Sequence, residues 1–177
     1  DRRTDDPQTV LDKLVAQGFN HDENNNRLQW IDPSSGERTD VELILIYNKK
    51  FAEDGTPERE VIENIKETFR KEYGIKINTD GLSSVNFLKR LRDRKKWDLA
   101  LLEFNFGWSG NVTPIFRQGS KSNIANYKSN ILENDLDLLL SARNSNQRAE
   151  IIKRIHRHCH ENLPYLFLWH VRPVVYY

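Results

Sequence analysis

Methionine is absent from these 177 residues, and cysteine occurs once, at Cys159. A single thiol excludes an intrachain disulfide and any disulfide-stapled scaffold, while leaving every redox compartment open. A full-length translation product begins with methionine. The chain starts at Asp1 and is therefore expected to be a piece excised or processed from a longer protein, with any signal peptide outside it. Long apolar runs are also missing. None approaches the ~18 residues that span a bilayer, and the apolar-rich stretches near 41–47, 97–104 and 163–171 are strand-sized. Nor is there an excess of either charge. Lys and Arg number 27 against 26 Asp and Glu, for a formal net charge of +1, so the overall balance calls for neither nucleic acid nor an acidic membrane. A Gly-x-Ser-x-Gly elbow, a Walker loop and a dinucleotide fingerprint are all absent, so nothing argues for an enzyme and no catalytic residue is assigned.

What is present suits an α/β domain with a heavily charged surface: 37% hydrophobic and 30% charged residues. A chain this long buries roughly 70% of the surface its unfolded form exposes, enough for a core. Asp6-Pro7 opens a helix with Val10, Leu11, Leu14 and Val15 at helical spacing, and Gly18 ends it. Residues 20–40 are polar and rich in turn formers, with Trp30 at the start of a short strand. Val41–Tyr47 is a nearly continuous apolar run, which predicts a strand covered on both faces.

Thr56-Pro57 caps a helix with Ile62, Ile65 and Phe69 on one face, and Gly74 stops it. Ile75–Thr79 alternates like a half-buried strand. Ser83 or Ser84 caps a helix with Phe87, Leu88 and Leu91 inward, and Trp97–Phe104 returns as a strand. Helices alternating with strands of this length predict a largely parallel sheet with right-handed crossovers. Asn130-Ile-Leu-Glu133 reads as a capping box, followed by an apolar stripe of Leu132, Leu136, Leu139 and Leu140. A helix near 146–161 carries Ile152, Ile155 and Cys159 on one side. Pro164 breaks it, and Tyr165–Val171 is the last expected strand.

Several constellations read more simply than they first look. His156 and His160 share a helix face, but that is half of a metal site, so no metal is assigned. The basic cluster Lys89, Arg90, Arg92, Arg94, Lys95 and Lys96 lies where helix ends favour cations and has no interleaved aromatics, which fits a solvated face. Glu133, Asp135 and Asp137 read as helix-dipole partners rather than an acid/base pair. Asn111-Val-Thr113 matches a glycosylation sequon but is followed by Pro114.

One loop stands apart. Asn105-Phe-Gly-Trp-Ser-Gly-Asn-Val-Thr-Pro114 follows the strand that ends at Phe104. Open α/β sheets bind ligands beyond the carboxyl ends of their strands. Glycines let backbone approach a ligand, and an indole supplies a flat apolar wall. Read from its residues alone, the loop is either a binding site or a turn whose Trp108 packs on the core.

The order of segments resembles the C-terminal lobe of bacterial extracellular solute-binding proteins of family 5. These are the oligopeptide-, dipeptide- and nickel-type binding components of ABC importers. Leu14-Val-Ala-Gln-Gly-Phe19 is similar to the family's opening helix, and Lys71-Glu-Tyr-Gly-Ile75 to its helix-to-strand junction. Phe87-Leu-Lys-Arg-Leu91 with Trp97-Asp-Leu-Ala-Leu101 resembles the segment before a Gly-Trp pair, which Gly107-Trp108 matches. Asn126-Tyr127-Lys-Ser129-Asn130 with Asp135, then Leu163-Pro-Tyr-Leu-Phe-Leu168, complete the likeness.

The resemblance implies an α/β fold, one lobe of a periplasmic-binding-protein type II architecture, with a mixed, mainly parallel sheet flanked by helices. It implies that residues 1–177 form a single lobe of a larger two-lobed protein. It further implies a non-catalytic, cofactor-free capture of a peptide or other small solute for an ABC importer. The ligand-binding residues would be Phe106, Gly107, Trp108, Ser109, Gly110 and Asn111. Peptide-binding members place an Asp after the Gly-Trp that pairs with the peptide's α-amino group, and here Asn111 stands in that position. Asn cannot supply the charge that an ammonium prefers, which leaves a peptide, a sugar-like molecule or another small solute open. The expected partners are that solute and the importer's permease, reached through the full-length protein. A monomer that binds no nucleic acid through this lobe is expected. Its place would be periplasmic or extracellular, with a lipid anchor in the full-length protein left open. The alternative is the solute-sensing domain of a cytoplasmic transcription regulator built on the same lobe.

Overall fold

The computed structural model describes residues 6–104, 111–166 and 168. Helix boundaries follow from local chemistry. The first helix, α1 (Pro7–Ala16), begins where Asp6 accepts a hydrogen bond from the Gln8 amide and proline takes the first turn. Next come three short strands, β1 (Phe19–Asp22), β2 (Arg27–Ile31) and β3 (Arg38–Asp40), paired as an antiparallel meander. This is the stretch the sequence reading treats as turns around one strand. Its outward face is polar, with Asn20 donating to Gln29 at 3.2 Å and Gln29 to Asp40 at 2.9 Å. The opposite face turns Leu28 into a core shared with Leu11 and Ile75.

A parallel sheet follows, built from β4 (Glu42–Asn48), β5 (Lys76–Leu82) and β6 (Leu99–Leu101) in the order β5-β4-β6. Helix α2 (Pro57–Tyr73) connects β4 to β5, and α3 (Ser84–Arg92) with a single 3-10 turn connects β5 to β6. Ends of α2 are fully specified. Thr56 accepts from the Arg59 amide, Pro57 opens the first turn beside Glu58 and Glu60, and Arg70 and Lys71 sit in the last turn before left-handed Gly74. One sheet face packs Leu45, Tyr47 and Ile77 against Ile62 of α2. Tyr47 lies over Gly81, its register partner on β5, so closely that a Cβ there would sit 2.8 Å from the ring.

The mixed α/β architecture with a parallel sheet and flanking helices agrees with the sequence reading. Three details differ. Strand β4 is not covered throughout on both faces: Ile46 is fully buried, whereas Ile44 is 37% exposed. Cover on that side comes from α3, which is only nine residues long and does not shelter Ile44. Leu88 of α3 points outward, because Phe87 and Leu91 occupy the buried side. The strand expected over 97–104 shortens to Leu99–Leu101, since the Trp97 indole donates to the Arg90 carbonyl at 3.1 Å and helps to close the end of α3.

The chain divides into two units at Glu103/Phe104. The second contains α4 (Thr113–Phe116), α5 (Asn130–Ser141) and α6 (Ser145–Asn162). Its core joins Ile115 and Phe116 to Leu132, Leu136 and Leu139 of α5 and to Ile151, Ile155 and Cys159 of α6. Here again the periodicity is shifted. Ile151, not Ile152, shares the buried side with Ile155 and Cys159, at i, i+4, i+8, and Leu140 is exposed. Tyr165 and Leu166 lie outside any strand, and the rest of the expected strand 165–171, apart from Leu168, falls outside the described residues. No helix among the described residues is long and apolar enough to cross a membrane.

Candidate functional site

All three strands of the parallel sheet run the same way, so their carboxyl ends open at one edge. Tyr47 of β4 is the register partner of Leu101, the last residue of β6. The chain then runs through Leu102, Glu103 and Phe104 to the loop singled out in the sequence. Of the expected ligand-binding residues, Phe106, Gly107, Trp108, Ser109 and Gly110 lie outside the described residues. Asn111 is described and is exposed. Its Oδ1 accepts a hydrogen bond from the Thr113 amide at 3.0 Å, an Asx turn that starts α4. Thr113 is buried, and its hydroxyl has no hydrogen-bond partner among the described residues.

The same sheet edge carries a feature the sequence reading does not single out. Asn48, Lys49 and Lys50 after β4, with Glu53, Ser83 and Ser84, line an open hollow of about 390 Å³. Asn48 holds its geometry: its side chain donates to Ser84 Oγ at 3.1 Å and accepts from the Lys50 amide at 3.1 Å. Ser83 caps α3 by position but makes no side-chain capping bond. The signal was available in principle. The rule that draws attention to the loop after β6 applies equally to the turns after β4 and β5.

Beyond the loop, residues 117–128 are held by a buried amide. Asn123 is 7% exposed, and its Nδ2 lies 2.9 Å from the Tyr127 carbonyl, 3.3 Å from that of Arg117 and 3.4 Å from that of Phe116. Its Oδ1 accepts from the Tyr127 amide at 3.1 Å. Tyr165 adds a second tie, donating to the Ile115 carbonyl and accepting from the Ala125 amide, each at 3.1 Å.

The acidic residues of α5 serve this same framework. The capping residue of α5 is Ser129, not Asn130. Glu133 therefore sits one position too deep for a capping box, and its carboxylate accepts from the Gln118 amide at 2.6 Å and from Arg117 at 2.8 Å. Arg117 also binds Asp137 at 2.7 Å, and Arg154 grips one oxygen of Asp135 at 2.6 and 2.9 Å. These partners raise both guanidinium pKa values, Asp137 foremost for Arg117 and Asp135 foremost for Arg154. Each of the three carboxylates thus has an arginine partner in addition to its place on the helix, where Glu133 lies in the first turn.

His158 Nε2 lies 2.8 Å from the Tyr127 hydroxyl, which gives that histidine a structural partner. Among the described residues no group of three or more His, Cys, Asp or Glu is arranged to hold a metal. Burial pushes the Cys159 thiol up to about 11. The folded protein should therefore resist thiol-directed maleimide at neutral pH and react once denatured; rapid labelling of the native chain would contradict the packing. The sign for stability follows. Unfolded chains lose this proton near the ordinary cysteine value of 9.0 and folded ones near 11, so the contribution is complete below pH 9 and is lost as pH rises toward 11.

No family model matches the sequence, and no curated protein matches it. Solved structures do. NikA from Staphylococcus aureus in complex with Ni(L-His)2 superposes with a TM-score of 0.65 at 16% identity, over 90% of this chain and 30% of that one. The oligopeptide-binding protein AppA from Bacillus subtilis, in complex with a nonapeptide, gives 0.68 at 16%, over 89% and 30%. The periplasmic binding protein MelB from Agrobacterium fabrum C58, in complex with stachyose, gives 0.70 at 15%, over 90% and 25%. The chain thus spans 25% to 30% of the length of these structures, and it has the fold of a lobe of a periplasmic binding protein. The resemblance to family 5 solute-binding proteins holds at the level of the fold.

Proposed function

We propose, from this lobe fold, that the chain is the ligand-capturing lobe of a larger two-lobed solute-binding protein that delivers a small solute to an ABC importer without chemistry. The observation that carries the reading is the extent of the likeness. Nine-tenths of the chain superposes on proteins solved with a nickel–histidine complex, a nonapeptide and an oligosaccharide. The site proposed is the loop beyond β6, Phe106 to Asn111. Support comes from topology, because the loop follows the carboxyl end of a strand in a parallel sheet. Trp108 would offer the solute an apolar wall, and closure of a second lobe would exclude water. The protein would work outside the cytoplasmic membrane, as a monomer.

Three solute classes follow from the structural relatives: an oligopeptide, a metal–amino acid complex and a neutral oligosaccharide. Calorimetric titration of the full-length protein with one of each discriminates them. Asn111 directs its acceptor oxygen to the Thr113 amide and carries no charge. We therefore expect the neutral oligosaccharide to bind more tightly than a peptide that relies on its free α-amino group. Stronger binding of the peptide, abolished by N-acetylation, would reverse that ranking and leave solute capture itself intact.

A further inference from the structure

Helix α3 buries one face and leaves the other uncovered. Phe87 and Leu91 face inward, and Arg90 is tied to Asp80 at 3.2 Å. Val85, Leu88, Lys89 and Arg92 recur at i, i+3, i+4 and i+7, which places them on one outward stripe. Val85 is 64% exposed and Leu88 59%. Lys89 and Arg92 are exposed and form no ion pair among the described residues. The Asn48–Ser84 hydrogen bond brings the turn after β4 alongside the start of this helix. That turn adds Lys49 and Lys50, both exposed and without an ion pair among the described residues, and Phe51, which is 50% exposed. Carboxylates also lie nearby: Asp80 is held by Arg90, and Asp54 stands 3.7 Å from Arg59. Glu53 stands at the rim of the hollow, and Asp93 is already paired with Lys96 at 2.9 Å.

Single exposed apolar side chains are ordinary. Three of them beside four cations that form no ion pair among the described residues make an interfacial composition: apolar groups to bury and positive charge to place against negative. The kind of cation points to the kind of surface. Three of the four are lysines, compact and strongly hydrated point charges. Protein interfaces favour arginine and deplete lysine, because a fixed fork suits a fixed partner. A fluid layer of lipid phosphates needs no such geometry and attracts each cation in turn. Nucleic acid fits less well, since among the described residues of this patch Phe51 is the one aromatic and offers no stacking series.

We propose that the outward face of α3, with the turn after β4, docks on an anionic phospholipid bilayer. Phe51, Val85 and Leu88 enter the headgroup boundary, and the four cations meet lipid phosphates. The docking face lies beside the carboxyl ends of β4 and β5. The proposal does not depend on the chain capturing a solute.

Co-sedimentation of the 177-residue chain with phosphatidylcholine vesicles, with and without phosphatidylglycerol, tests it. Binding is expected to the phosphatidylglycerol vesicles alone and to disappear in molar salt. Lys89→Gln with Arg92→Gln should weaken it roughly twenty-fivefold, at about fivefold per cation. Val85→Ser with Leu88→Ser should weaken it while leaving the salt dependence unchanged. All four side chains are exposed, so the thermal midpoint should stay put, and Lys121→Gln with Lys128→Gln in the second unit should bind as wild type. Equal binding to neutral vesicles, no binding at low salt, or binding undiminished in the Lys89/Arg92 variant would each overturn the proposal. So would salt-sensitive retention on immobilised polyglutamate without vesicle binding, which would assign the face to an acidic protein.

Discussion

Gly74→Ala lowers the thermal midpoint of the chain by roughly 5–20 °C, from a loss of about 2–5 kcal/mol. Two costs add at this position. Gly74 ends α2 with φ +66°, a left-handed conformation that costs an L-residue about 1–2 kcal/mol. The second cost is a collision. A Cβ there would stand 2.7 Å from the Asn26 carbonyl oxygen and 2.8 Å from Arg27 Cα, both backbone atoms that cannot swing aside. The approach is close because the hairpin between β1 and β2 is docked on the end of α2. Asn26 Nδ2 donates to the carbonyls of Arg70 and Lys71, each at 3.0 Å, and the Leu28 amide donates to Gly74 itself at 3.0 Å. Gly36 supplies the control. Its φ is +71°, yet nothing lies within 4 Å of a Cβ built on it, so Gly36→Ala pays the conformational cost alone, about 1–2 kcal/mol. Equal losses at the two glycines, measured by urea unfolding, would show that hairpin and helix do not pack as described.

Asn123→Ala is the corresponding test of the second unit. One side chain serves three carbonyls and one amide, of which the Arg117 carbonyl also accepts from the Ser120 amide at 3.2 Å. Each buried polar group left unpaired costs about 1–3 kcal/mol, less where water can enter, so the expected total is about 2–4 kcal/mol. Asn123→Asp should do no better. It keeps the acceptor for the Tyr127 amide but sets a negative charge against three carbonyl oxygens. Hydrogen exchange at the Tyr127 amide should quicken in Asn123→Ala, which removes its acceptor, and less in Asn123→Asp, which keeps one. A loss below about 0.5 kcal/mol, the range of surface substitutions, would remove Asn123 from its place as the organiser of this loop.

Much of the fold was legible because caps and periodicity agreed. Asp6-Pro7 and Thr56-Pro57 mark helix starts with both a side-chain acceptor and a preset φ, and Gly74 marks an end that only a left-handed residue can make. The parallel sheet followed from apolar runs spaced by those helices. The antiparallel meander was hidden for a physical reason. Its strands are three to five residues long and one face is solvated, so Asn20, Gln29 and Asp40 look like loop residues while they bond across strands. Side-chain direction was missed wherever two adjacent apolar residues compete for one inward position, as with Ile151 and Ile152, Phe87 and Leu88, and Leu139 and Leu140.

At the candidate site, sequence supplied the loop and its residue types. It could not foresee that Asn111 would spend its acceptor oxygen on α4. Neither could it foresee that Glu133, in the first turn of α5, would bind Arg117 and the Gln118 amide. Both outcomes depend on which backbone donors the tertiary fold brings near. Acidic residues that invite a catalytic or dipole reading are here engaged in fixing the segment beyond the loop.

The central claim is that the loop at Phe106–Asn111 captures a solute. Its most direct test is the solute-induced rise in thermal midpoint of the full-length protein, compared between wild type and Trp108→Ala. With solute at about one hundred times Kd, binding stabilises the native state by about 2.7 kcal/mol, which appears as a rise of several degrees. The account predicts that rise in the wild type and its disappearance in Trp108→Ala, with the ligand-free midpoints nearly equal. An undiminished rise in Trp108→Ala would contradict it.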